Sequence, residues 1–178
     1  MDLTEHKIES EQVFDGTLLK VYRDRVRLPN GQESEREWID HPGAAAVVPL
    51  LADGRVVLVR QYRYPLGAEF IEIPAGKLDH QGESPEAVAR RELEEETGWR
   101  AGNLTSLGAF HIAVGYSNEI IHCYLATDLS EVGARLDDDE FLEVLYMPLE
   151  EALEMVADGR ITDVKSVVSL LRAKSNLH

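Results

Sequence analysis

An α/β fold, a sheet with helices laid against it and an antiparallel β arm in front, is what this sequence predicts, and three observations carry the prediction. At 178 residues the chain has room for one domain and a small added arm. Apolar strand-like runs alternate with one strong helix signal in mid-chain, and two further helix signals close the sequence. Residues 8–40 alternate apolar and polar side chains with a period of two around VYRDRVRL.

The arm comes first. Turn signals at Asp15-Gly16 and Pro29-Asn30-Gly31 divide residues 8–40 into two or three antiparallel strands. From residue 44 to 125, AAAVVPLL, RVVLVRQYR, FIEIPA, LTSLGAFHI and EIIHCYLA read as strands. Between the third and fourth of these, Pro85 to Thr97 reads as a helix, opened by Ser84-Pro85 and stopped by Gly98. Past an acidic loop from Leu136 to Glu140 come a strand near Phe141 to Tyr146 and helices over Leu149–Ala157 and Thr162–Ala173, which are expected to cover a face of the sheet.

Composition narrows the function. Lys and Arg number 18 against 33 Asp and Glu, a net charge of −15, and such a field repels a phosphate backbone unless a bound cation or a local basic patch reverses it. No nucleic-acid partner is expected. The longest apolar run, Ala44 to Ala52, contains a proline and is far shorter than the roughly 18 residues that span a bilayer, so no membrane partner is expected either. The opening MDLTEHKIES lacks a basic region followed by an apolar one, which implies no secretory signal and a cytoplasmic location. The single cysteine, Cys123, stands among Ile121, Tyr124 and Leu125 and reads as a buried strand residue rather than a nucleophile. The six histidines show no ligand spacing, and CxxC and HExxH are absent, which argues against zinc.

The chemistry gathers in PAGKLDHQGESPEAVARRELEEETGW. At about 100° per helical residue, with Glu92 at the origin, Glu95 falls at roughly 300° and Glu96 at roughly 40°. The three carboxylates therefore share one face, while Ala89 and Leu93 can point inward. Like charges one turn apart destabilise a bare helix, and a bound hard cation reverses that cost. Spacing alone leaves open a solvated acidic face with Arg90 and Arg91 as local partners. The strand end Ile73-Pro74-Ala75-Gly76 in front of the helix tips the balance, because a backbone carbonyl there can join the carboxylates as a fourth hard donor. Such a set suits Mg²⁺ or Mn²⁺.

These residues resemble the Nudix box, in which Gly, Glu, Arg-Glu-aliphatic, Glu-Glu and Gly-apolar stand at set intervals. Here they are Gly76, Glu83, Arg91-Glu92-Leu93, Glu95-Glu96 and Gly98-Trp99. Six residues rather than the usual five separate Gly76 from Glu83, and the spacing from Glu83 onward matches. The extra residue is assigned near His80-Gln81, since a loop absorbs an insertion that would rotate every later side chain of a helix. The resemblance implies an α/β/α sandwich around a mixed sheet and metal-dependent hydrolysis of a diphosphate joined to another moiety. It implies Glu92 and Glu96 as the primary metal ligands, with Glu95 sharing the cluster and the Ala75 carbonyl completing it. Glu83 and Arg91 are expected to tie loop to helix as an ion pair.

Outside the box, the chain is similar to the ADP-ribose pyrophosphatase and nucleoside diphosphate sugar hydrolase branch over residues 10–175. The similarity rests on Arg36-Glu37-Trp38-Ile39-Asp40-His41-Pro42-Gly43, on Val59-Arg60-Gln61-Tyr62-Arg63 and on Gly115-Tyr116-Ser117-Asn118-Glu119. It implies Arg63 as the contact to the diphosphate, with a surface ion pair as its bland alternative. Arg36 is a weaker candidate contact to phosphate or ribose. It further implies Glu119 as the base for the attacking water, against a merely solvated loop, and Glu92, Glu95 and Glu96 as holders of two or three Mg²⁺ ions. Val114 stands where that branch usually has proline, which widens the expected substrate to ADP-ribose or a related nucleotide sugar. The products would be AMP and ribose 5-phosphate, or their equivalents. Residues 1–42 would form an arm that pairs two subunits into a homodimer and helps build the substrate pocket, and residues 43–178 the Nudix hydrolase domain. Two other readings stand beside this one. One is a sensor that binds a nucleotide sugar without cleaving it, and the other is an enzyme of nucleoside triphosphates, dinucleoside polyphosphates or capped RNA.

Overall fold

The computed structural model of the chain describes residues 1–78, 82–136 and 141–177. The insertion assigned near His80-Gln81 and most of the acidic loop ending at Glu140 lie outside the described residues. The chain divides into two compact units, residues 1–43 with 111–120, and residues 44–110 with 121–178.

The first unit is built on a three-stranded antiparallel sheet in the order β1 (His6–Asp15), β2 (Lys20–Arg27), β3 (Glu33–Asp40). The alternation around VYRDRVRL is that of β2, where Asp24 and Val26 turn inward and their neighbours outward. Tyr22 and Trp38 face each other across β2 and β3 with ring centroids 5.0 Å apart, a stacked cross-strand pair. Every residue of β1 is exposed.

The second unit holds β4 (Ala44–Pro49), β5 (Arg55–Arg63), β6 (Ala68–Glu72), β7 (Ala75–Lys77), α1 (Pro85–Thr97), β8 (Trp99–His111, whose last residue passes to the first unit), β9 (Ile120–Glu131, whose first residue belongs there), β10 (Leu142–Pro148), α2 (Leu149–Ala157) and α3 (Val164–Asn176). They form an antiparallel sheet in the order β10-β5-β6 and a mixed sheet in the order β7-β4-β9-β8, with β4 and β9 parallel. Every residue of β4 is buried. On one side Ala45 and Val47 pack with Val88, Ala89 and Leu93 of α1, and α3 also packs against β4, so the strand lies between helices and reads as a continuous apolar run. Cys123 is buried on β9, as expected, and burial pushes its thiol above the usual range.

FIEIPA, expected to be one strand, is two. Pro74 has no N–H for a ladder, and the Ile73 N–H donates instead to Ser166 Oγ of α3 at 2.9 Å. The chain leaves the antiparallel sheet at this break and joins the mixed one, where Ala75 and Gly76 pair with Ala46 and Ala45. The strand expected from Leu104 starts at Trp99, because Gly98 at φ +75° closes α1 and turns the chain directly into β8. The helix expected over Thr162–Ala173 starts at Val164, where Asp163 supplies the cap by accepting from the Ser166 N–H at 3.0 Å.

Candidate active site

Helix α1 is fixed at both ends by short-range signals. Ser84 Oγ accepts from the Ala87 N–H at 3.2 Å, Pro85 occupies the first turn, and the Gly98 N–H reaches Glu94 O at 3.0 Å. With the ends fixed, the rotation of the helix is set by Val88, Ala89 and Leu93, all fully buried. Glu92 and Glu96 are consequently drawn in to 8% and 4% exposure, whereas the Glu95 side chain stays 40% exposed. The three carboxylates do lie on one face, two within the protein and one at its edge.

The strand end meets that face. Glu96 Oε2 accepts from the Ala75 N–H at 3.3 Å. Glu92 lies so close to Gly76 that a Cβ placed there would stand 1.7 Å from Glu92 Oε1. A side chain at this position would have to push the Glu92 carboxylate aside. Arg91 closes the group, with Nη1 2.8 Å from both Glu92 Oε1 and Glu95 Oε2 and Nε 3.3 Å from Glu83 Oε1. Burial works against the Arg91 charge, and the carboxylates of Glu92, Glu95 and Glu83 outweigh it, holding the guanidinium firmly protonated. The expected tie to Glu83 is present, but Arg91 binds the carboxylate face more closely than it binds the loop. Among the described residues no three His, Cys, Asp or Glu side chains already converge as a ligand cluster, and here the guanidinium balances their charge. Arg90 is not a partner of this face, since it donates to Glu86 and to Ala101 O.

The donor set suits a hard divalent cation. The side chains of Glu92, Glu95 and Glu96 offer carboxylate oxygens only, the Ala75 N–H meets Glu96, and the absence of a side chain at Gly76 brings backbone and the Glu92 carboxylate into contact. Gly76→Ala is expected to displace the Glu92 carboxylate, with a melting temperature within a few degrees of wild type and activity that needs about tenfold more Mg²⁺. A magnesium titration of activity checks this, and an unchanged midpoint would show that the close approach has no bearing on the metal.

Arg63, at the end of β5, is held by a buried carboxylate not expected from the sequence. Glu72 is 2% exposed, and it accepts from Arg63 Nε and Nη2 at 2.7 Å each. Lys165 Nζ also donates to Glu72. Burial pushes Glu72 toward the neutral acid, but the two cations outweigh it and hold the carboxyl below its usual range. Arg63 and Glu72 are 9 positions apart on paired strands, but Lys165 lies 93 positions from Glu72, so no local spacing could have revealed its part in the group.

Glu119 and Arg36 belong to the first unit. The loop before Glu119 is stitched to β3: Ile39 N–H donates to Tyr116 O at 2.8 Å, Asn118 Nδ2 donates to Asp40 Oδ1 at 2.6 Å, and Asn118 Oδ1 accepts from the His41 N–H at 2.8 Å. Glu119 Oε1 stands 3.7 Å from His41 Nδ1, and that nitrogen accepts from the Gly43 N–H at 3.1 Å. Arg36 is exposed and engaged by Glu5, through Nε at 2.9 Å and Nη2 at 2.5 Å. Val114 is exposed.

Comparison with known proteins agrees with this geometry. The NUDIX domain family matches residues 40–167, and the nucleoside diphosphate sugar hydrolase N-terminal domain matches residues 5–39. The chain is 45% identical over 170 residues to an ADP-ribose pyrophosphatase of Bacillus subtilis (strain 168), covering 94% of this chain and 91% of the relative. It is likewise 45% identical over 168 residues to a methanol dehydrogenase activator of Bacillus methanolicus, covering 93% and 90%. Among solved structures, an ADP compounds hydrolase superposes with a TM-score of 0.88 over 99% of this chain and 96% of that one; at 24% identity this speaks for the fold alone. With a carboxylate helix against a glycine strand end, and with a family match across most of its length, this chain is a member of the NUDIX hydrolases.

Proposed function

We propose that the protein hydrolyses the diphosphate bond of ADP-ribose or a related nucleoside diphosphate sugar, releasing a nucleoside monophosphate and a sugar phosphate. The observation that carries this reading is the convergence of the Glu92 and Glu96 carboxylates on Ala75 and Gly76. Identity to an ADP-ribose pyrophosphatase and the match to a nucleoside diphosphate sugar hydrolase N-terminal domain support the substrate class.

Glu92, Glu95, Glu96 and the Ala75 carbonyl are the proposed holders of Mg²⁺, with Mn²⁺ as a substitute. When bound, the ion neutralises the non-bridging diphosphate oxygens, which an acidic protein would otherwise repel. Arg63 is the proposed diphosphate contact and Arg36 a further contact to phosphate or ribose. A carboxylate oxygen of Glu119 is the proposed base: it takes a proton from water as the water oxygen bonds to one phosphorus. The bridging P–O bond then breaks, and its electron pair leaves on the departing phosphate. The reading also includes the division into an arm of residues 1–42 and a catalytic domain of residues 43–178. The arm is proposed to pair two copies as a homodimer, supported by the exposure of β1 with Ile8, Val13 and Phe14 along it. The proposed location is the cytoplasm, where such nucleotides occur. No described helix is long and apolar enough to cross a membrane.

A panel of ADP-ribose, nucleoside diphosphate sugars, dinucleoside polyphosphates and nucleoside triphosphates, each with Mg²⁺, tests the substrate class. Cleavage of ADP-ribose and the nucleotide sugars is the expected result. Cleavage of ADP-ribose alone would narrow the assignment and show that Val114 serves in place of proline. Cleavage confined to triphosphates or dinucleotides would overturn it.

A further inference from the structure

The buried group around Glu72 contains one cation more than burial requires. Arg63 satisfies both oxygens of Glu72 with parallel bonds of 2.7 Å, a complete pair by itself. Lys165, in the first turn of α3, nevertheless brings a second positive charge to Glu72 Oε2, and its side chain is only 10% exposed. Lysine is seldom buried to this degree without a compensating role. Lys165 Nζ also donates to Asp163 Oδ2 at 2.9 Å, and Ser166 Oγ donates to the same oxygen at 2.6 Å. The Ser166 hydroxyl oxygen in turn accepts from Ile73 N–H at 2.9 Å. Glu72 and Ile73 are thus bolted to α3 at consecutive residues, directly before Pro74 leads into Ala75 and Gly76.

The charges explain the extra cation. Arg63 and Glu72 alone make a neutral pair, in which the guanidinium is fully spent on its partner. With Lys165 the three groups carry a net positive charge; Asp163, which balances Lys165 in turn, has a 23% exposed side chain that gives part of its field to water, and Glu96, the other carboxylate whose field reaches Arg63, is one of the proposed cation holders. Arg63 Nη1 has no hydrogen-bond partner among the described residues, and the Arg63 side chain is 42% exposed. We propose that Lys165 is a positioning residue for substrate binding: by sharing the Glu72 carboxylate it leaves Arg63 with net charge and its Nη1 edge to offer to a diphosphate. The inference rests on the reading of Arg63 as the diphosphate contact.

The test compares kcat and KM on ADP-ribose for the wild type, Lys165→Met, Lys165→Gln, Lys165→Arg, Arg63→Ala and the Lys165→Met/Arg63→Ala double variant. Lys165→Met is expected to raise KM about tenfold while kcat stays within about threefold. Lys165→Gln keeps a donor to Glu72 without the charge, so it reports the same rise even where the methionine variant folds poorly. Lys165→Arg restores the wild-type KM. In the double variant KM equals that of Arg63→Ala, because Lys165 acts only through Arg63. A wild-type KM in Lys165→Gln, with or without a lowered melting temperature, would reduce Lys165 to a structural role and overturn the inference while the Arg63 assignment stands. Independent, multiplying effects in the double variant would overturn it as well. A wild-type KM in Arg63→Ala would instead remove the diphosphate contact itself, a different failure read from a different variant.

Discussion

Glu96→Gln is expected to lower kcat on ADP-ribose by roughly two to three orders of magnitude at saturating Mg²⁺, with no loss of fold. Glu96 is 4% exposed, and its contact to the strand end is an accepted hydrogen bond from the Ala75 N–H. Glutamine has the same shape and keeps a carbonyl oxygen to accept that bond, so the packing of α1 against β4 is unaffected. What disappears is one negative oxygen from a group whose proposed task is to hold a divalent cation. Glu96→Gln relieves repulsion with Glu92 one turn away and gives up attraction to Arg63, so the melting temperature should stay within a few degrees of wild type. A variant that is stable and fully active at saturating Mg²⁺ would remove Glu96 from the metal set.

Glu119→Gln is expected to lower kcat by about a hundredfold with little change in the Mg²⁺ concentration that gives half-maximal activity. The loop that carries Glu119 is anchored to β3 by backbone bonds of Ile39 and by both ends of the Asn118 amide, none of which needs the Glu119 charge. Replacing the carboxylate therefore leaves its support intact and takes away the proposed proton acceptor. Parallel titrations of metal and substrate separate the roles. A shifted metal midpoint with normal turnover at saturation would mark Glu119 as a ligand or a bystander rather than the base.

How much of this was legible beforehand depended on how far apart the interacting residues lie. Helix α1 has the bounds expected of it, Pro85 to Thr97, because Ser84, Pro85 and Gly98 act within one turn of themselves. The shared face of Glu92, Glu95 and Glu96 follows from helical rotation alone. Their unequal burial does not, since it is set by Ala45 and Val47 across the core. The break of FIEIPA at Pro74 had a local sign in the proline, but its destination did not: only pairing with β4 tells where Ala75 and Gly76 go. Arg91 was legible both as a partner of Glu83 and, at i,i+4 from Glu95, as a local partner of the acidic face; that it holds Glu92 and Glu95 more closely than Glu83 emerges only from the structure. Glu72 and Lys165 left no trace at all, because two charges 93 residues apart are brought together by the fold and by nothing nearer.

The carboxylate face of α1 is proposed to serve hydrolysis and not binding alone. The most direct measurement is to incubate ADP-ribose with the protein in Mg²⁺, in chelator, and in chelator followed by excess Mg²⁺, and to quantify AMP and ribose 5-phosphate. Equal amounts of the two products are expected wherever free Mg²⁺ is present, and none where it is not. Product formation undiminished by the chelator would contradict the proposal. So would intact ADP-ribose in all three mixtures together with a raised melting temperature on adding ADP-ribose, which would make the protein a sensor.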